Sequence, residues 1–224
     1  MKRQFWPRAL AAAATLVASS SWAQFISVPQ VQSGFLVRSE PTVVLLRESP
    51  RARAVLLSIP GGTGRIGFRA DAPFNPQAEP RTSFAKVFKL LADSQSTSGS
   101  FHIASFDSPY AMPMDAHLAA RTAKDHMVRI DSAVQYLRDR YKLPIWIMGH
   151  SNGGFSIAEY LRYLQSEKRE DALAGFIFSA GRAISRFGST AALPALFVSA
   201  ERDGCLREKT LRRRAGSAGA MMRC

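Results

Sequence analysis

The chain is short of the residues that build metal centres and disulfide scaffolds. Its 224 residues hold two cysteines, Cys205 and Cys224, and four histidines, His102, His117, His126 and His150. Neither set has ligand spacing, so no metal and no metal cofactor is expected. Two cysteines exclude a disulfide-stapled fold. In an oxidising compartment they could pair, closing a loop of about 20 residues worth about 3 kcal/mol. Free thiols and intermolecular pairing are equally open. Long apolar runs are absent too. Residues 9–18 are the longest apolar stretch near the start, too short to span a bilayer, and no later segment resembles a span.

Acidic residues are also scarce: 17 against 30 basic ones, for a formal charge of +13. Much of the excess lies at the ends, in Lys2, Arg3 and Arg8 and in Arg207, Lys209, Arg212, Arg213, Arg214 and Arg223. The body between is only mildly basic. "LRRRAG" reads as a solvated basic tail, and no nucleic-acid partner is expected.

What is present is ordinary globular sequence, 46% hydrophobic and 21% charged, long enough for one domain with a sizeable core. A basic start, the apolar run and Ser21-Trp22-Ala23 read as a signal peptide cleaved near Ala23. The expected organisation is a signal peptide over 1–23, one domain over 24–205 and a basic low-complexity, disordered tail over 206–224. The expected location is the periplasm or the exterior.

Residues 34–40 and 42–49 read as two antiparallel strands joined around Pro41. Residues 54–60, 101–107, 143–148, 174–180 and 194–200 read as buried strands without alternation. Helical stripes run over 84–91, 119–137 and 157–164. Strands separated by helices predict an α/β fold: a mostly parallel sheet with helices on both faces and an antiparallel N-terminal edge.

"GHSNG" (149–153) matches G-x-S-x-G between a predicted strand and a predicted helix. Small residues flanking Ser151 would let strand and helix approach while the serine occupies a strained turn. Ser151 is therefore the candidate nucleophile, against an incidental serine in a glycine-rich turn. "IPGGTG" (59–64) ends a strand and supplies side-chain-free N–H groups. With the Asn152 N–H, the Gly62 N–H is the expected oxyanion donor, against a plain tight turn. It lacks the G-K-[ST] of a phosphate loop and fails G-x-G-x-x-G, so no nucleotide cofactor is expected. In "SAERDGC" (199–205), Asp203 is the candidate acid, with Glu201 as the local alternative and a surface turn as the bland one. Asp107 reads as a turn or capping residue.

These pieces, with "DHMVRIDSAVQYLR" and "ALFVSAERDGC", resemble exported bacterial α/β-hydrolases of the esterase and dienelactone-hydrolase type over residues 34–205. The resemblance implies a serine hydrolase for carboxylic esters or related small acyl substrates. It implies Ser151 as nucleophile, Asn152 and Gly62 at the oxyanion hole and Asp203 as triad acid. In that family a histidine follows the acid. Here all four histidines precede Ser151, and "GCLREKTLRRRAGSAGAMMRC" carries none. The chain therefore reads as truncated or frame-shifted, lacking the final strand and helix. Of the histidines present, His150 is the first x of the elbow, His126 lies within the long helix and His102 starts a strand at the wrong edge. His117 is the least implausible substitute base. The competing reading is a non-catalytic periplasmic binding protein on a hydrolase scaffold.

Overall fold

A computed structural model describes residues 24–29, 41–66, 99–108, 112, 117–180 and 193–198, with the backbone alone at His117 and Leu118. The strands are β1 (Gln24–Val28), β2 (Thr42–Arg47), β3 (Ala54–Ile59), β4 (Phe101–Asp107), β5 (Ile145–His150), β6 (Gly175–Ser179) and β7 (Ala195–Val198). The helices are α1 (His117–Thr122), α2 (Lys124–Tyr141) and α3 (Gly153–Ser166). The seven strands form one sheet in the order β1-β2-β4-β3-β5-β6-β7. β2 runs antiparallel to both its neighbours, and all other pairs are parallel.

The strands lack polar alternation because both faces are buried, yet period two still sorts them. Val44, Leu46, Val55, Leu57, Ala104, Phe106, Ile145, Ile147, Phe176 and Phe178 share one cluster with Met127, Ile130, Val134 and Leu137 of α2 and Ile157, Tyr160 and Leu164 of α3. Their alternates, Leu45, Leu56, Ile103 and Met148, form a second cluster with Ile66 on the opposite face. The described helices that touch the sheet, α2 and α3, thus line one face. The helix expected over 84–91 lies outside the described residues, as do the expected signal peptide, the tail over 206–224 and both cysteines.

One expectation needs correction, in the helical layer. The antiparallel edge is present in β2, and the strand expected over 34–40 lies outside the described residues. The edges of β2 are taken by β1 on one side and β4 on the other. "QFISV" is too short to show a period of its own, which hid β1. The single helix read over 119–137 is two. Ala123 is extended (φ −63°, ψ 140°) and separates α1 from α2. No proline or glycine marks the break. The three-and-four stepping runs through it because both helices pack toward the same neighbours.

A buried carboxylate ties the helical layer together. Asp131 of α2 accepts hydrogen bonds from Tyr160 of α3 at 2.8 Å, from Arg169 at 2.9 Å and from Gln135. Removing one donor would leave this carboxylate under-satisfied. Tyr160→Phe is expected to cost about 1–2 kcal/mol, read as a shift in urea midpoint at unchanged slope.

Candidate active site

Neighbouring parallel strands deliver their carboxyl ends to one edge of the sheet. β3 lies between β4 and β5, so the loop after Ile59, the end of β4 at Asp107 and the turn after His150 meet there. This is where open α/β sheets place their sites.

Ser151 occupies the turn between β5 and α3 with φ 50°. Left-handed backbone costs a non-glycine residue about 1–2 kcal/mol, so the surroundings must hold it. The Ser151 N–H donates to the Ser179 carbonyl of β6 at 2.9 Å, and the Gly154 N–H donates to the Ser151 carbonyl at 3.0 Å. Close approach explains the flanking glycines. A Cβ on Gly149 would lie 2.7 Å from the Gly153 carbonyl oxygen. A Cβ on Gly153 would collide with the Ile59 carbonyl oxygen and lie 3.0 Å from that of Pro60.

The loop after β3 presses on this turn. A Cβ on Gly61 would lie 2.8 Å from the His150 carbonyl oxygen and 3.0 Å from Ser151 Cβ. Gly62 has φ 55° and open space around its Cα. The backbone N–H groups of Gly62 and Asn152 have no acceptor among the described residues. Among the described residues two unpaired donors thus stand on the segments around Ser151, and that of Asn152 lies at the head of α3, where the helix dipole favours negative charge.

Asp107 proves to be a loop anchor. It is buried at the end of β4 and accepts the Ile66 N–H at 2.5 Å. The Ser108 N–H donates to the Gly64 carbonyl at 3.2 Å and the Met112 N–H to the Thr63 carbonyl at 2.8 Å.

Ser151 Oγ has no hydrogen-bond partner among the described residues. His102 stands at the amino end of β4, about 17 Å along the strand from Asp107. Its Nδ1 accepts the Ser49 N–H at 3.0 Å, and burial lowers its pKa. His150 Nδ1 lies 3.3 Å from Ser179 Oγ, and burial lowers its pKa too. His126 Nε2 lies 2.9 Å from Ser156 Oγ, inside the core. His117 opens α1, and its side chain lies outside the described residues. Asp203 and Glu201 also lie outside them. β7 ends at Val198 on the site edge, five positions before Asp203.

Behind the loop lies a group that sequence reasoning did not find. Arg121 of α1 is fully buried. Its Nη1 donates to Ser156 Oγ at 2.8 Å, and its Nη2 to the carbonyls of Gly62 at 3.0 Å and Pro60 at 3.2 Å. Asn152 Nδ2 also donates to the Gly62 carbonyl, at 3.3 Å. Burial pulls the Arg121 pKa down to about 10, which leaves it charged at neutral pH. No sequence signal marks this arginine, since an arginine on a short helix reads as solvated.

Burial, with Arg121 beside it, pushes His126 down to about 3 from an ordinary 6.5. The native imidazole is thus neutral while the unfolded one takes a proton as pH falls through 6.5. Stability is unaffected above that value and falls as pH drops from 6.5 toward 3, by up to about 1.4 kcal/mol per pH unit. Between pH 6.5 and 4.5 the protein is expected to lose about 2 kcal/mol more than His126→Gln, measured by urea unfolding. Parallel pH profiles would contradict this.

No helix of the described residues is long and apolar enough to cross a membrane. No group of three or more histidine, cysteine or acidic side chains among them could hold a metal ion.

No family profile and no curated protein matches the sequence. Solved structures do. A serine hydrolase without a lid from Xanthomonas campestris is similar at TM-score 0.55 and 10% identity, over 91% of this chain and 84% of that one. An α/β-hydrolase of Agrobacterium tumefaciens described as putative is similar at TM-score 0.52 and 13% identity, over 89% and 81%. A cold-adapted esterase from an Arctic intertidal metagenome is similar at TM-score 0.52 and 13% identity, over 88% and 81%. At these identities the likeness is one of architecture, and it agrees with the strand order and the single reversed strand: the chain has the α/β-hydrolase fold.

Proposed function

We propose that this chain is an exported serine hydrolase for carboxylic esters or related small acyl substrates, working at a residual rate. The observation that carries the reading is the left-handed Ser151 beside the N–H groups of Asn152 and Gly62, which have no acceptor among the described residues. Ser151 Oγ attacks the carbonyl carbon, and the C=O electron pair moves onto oxygen. The oxyanion rests on the two N–H groups. Its collapse expels the alkoxide, which takes a proton from water, and a second water releases the acid from the acyl-serine. Asp203 is the proposed acid, its position after β7 matching the chain order Ser, acid, His. Among the described residues no imidazole reaches Ser151 Oγ, so in this reading protons pass to water and both steps are slow.

A fluorophosphonate probe tests the reading. A phosphonyl adduct on Ser151, formed slowly and absent from Ser151→Ala, is the expected result. A bare Ser151 in a protein that still binds ester analogues would instead favour a non-catalytic binding protein. The missing hydrogen bond to Ser151 Oγ is the observation that favours that second reading.

A further inference from the structure

We propose that Arg121 is the positioning residue of the oxyanion loop, held from behind by Ser156 and His126. This rests on the serine-hydrolase reading above. Among the described residues no carboxylate pairs with Arg121. A buried cation without a counter-ion is costly, and neutral oxygens must satisfy it. Two of its three acceptors are carbonyls of the loop, those of Pro60 and Gly62.

The geometry gives those bonds a consequence at the site. None of the described peptide bonds is cis, and a trans peptide points its N–H opposite to its C=O. The peptide following Pro60 and the one following Gly62 are both pinned by the same guanidinium. The Gly61–Gly62 peptide lies between them, its own carbonyl accepting the Gly64 N–H at 2.9 Å. Its N–H, the proposed oxyanion donor, is therefore fixed on both sides. Gly62 could otherwise turn freely, since nothing lies within 4 Å of where its Cβ would be.

Ser156 and His126 complete the support. Arg121 offers only donors, so Ser156 Oγ accepts from it. The serine oxygen also lies 2.9 Å from Nε2 of His126. The neutral imidazole accepts from the hydroxyl or donates to it, according to its tautomer. Ser156 of α3, backed by His126 of α2, thus meets the Arg121 side chain of α1, which alone of the three grips the loop.

Single-turnover release of p-nitrophenolate from p-nitrophenyl acetate tests this, with melting temperature followed for every variant. Arg121→Gln should slow acylation about 100-fold, the loss expected when an oxyanion donor is misplaced. Its KM should stay within about threefold, since the donor acts in the transition state. Arg121→Lys, which keeps the charge and loses the fork, should fall between it and the unaltered chain. A folded Arg121→Gln with an unaltered rate, or a loss entirely in KM, overturns the proposal. Should Arg121→Gln fail to fold, Ser156→Ala decides. A rate at least about threefold lower at unchanged KM supports the clamp, and an unaltered rate overturns it. Ser151→Ala separates the two readings. If it leaves the rate unchanged, the acyl-transfer reading itself has failed; if it removes the rate and Arg121→Gln does not, only the clamp has.

Discussion

Ester hydrolysis by this chain is expected to be slow and to vanish in Ser151→Ala. The magnitude follows from what Ser151 has and lacks. Oriented donors remain: the Asn152 and Gly62 N–H groups have no other acceptor among the described residues. Loss of the base costs on the order of 10⁶ in kcat. Ordinary enzyme turnover of about 1–10³ s⁻¹ therefore drops to between a few events per hour and about one in ten days. Ser151→Ala should bring p-nitrophenyl ester hydrolysis to the buffer rate at an unchanged melting temperature. Near-normal turnover abolished by Ser151→Ala would instead reveal a working base, and His117→Ala would then be the variant to make. The other three imidazoles are held by Ser49, Ser179 and Ser156.

Gly153→Ala is expected to have the largest effect on stability. The added methyl group would meet the Ile59 carbonyl oxygen head on and the Pro60 carbonyl oxygen at 3.0 Å. Both are backbone, at the end of a central strand paired on each side, so neither can yield as a side-chain end would. Overpacking of this kind costs about 3 kcal/mol or more. For a domain of this size that is a fall of about 6–12 °C in melting temperature. Gly62→Ala is the contrast. It has open space but φ 55°, so only strain of about 1–2 kcal/mol is expected. Equal shifts in the two variants would contradict the close-packing account.

The same physics decides what could be read in advance. Glycine at 149 and 153 and a serine between them are steric necessities of a strand-to-helix turn, so the elbow is visible as residue types. The central strands are visible because burial on both faces demands continuous apolar runs. β1 is not, since a five-residue edge strand carries too little pattern. The break at Ala123 is silent because neither flanking helix changes its stepping. Arg121, Ser156 and His126 are invisible for another reason. Their roles exist only once three helices bring them behind the loop, and no local spacing encodes that meeting. Asp107 stands between these cases: its position at a strand end is legible, but its grip on Ile66 is not.

Among the described residues a formed elbow and oxyanion loop stand with no imidazole on Ser151 Oγ, an arrangement that predicts slow chemistry. The most direct test of that central claim is intact-protein mass spectrometry after mixing with p-nitrophenyl acetate, followed by peptide mapping. Slow acylation with still slower deacylation should make a single acetyl group accumulate on Ser151. An acetyl group on another residue, or rapid turnover with no acyl-serine trapped, would contradict the account.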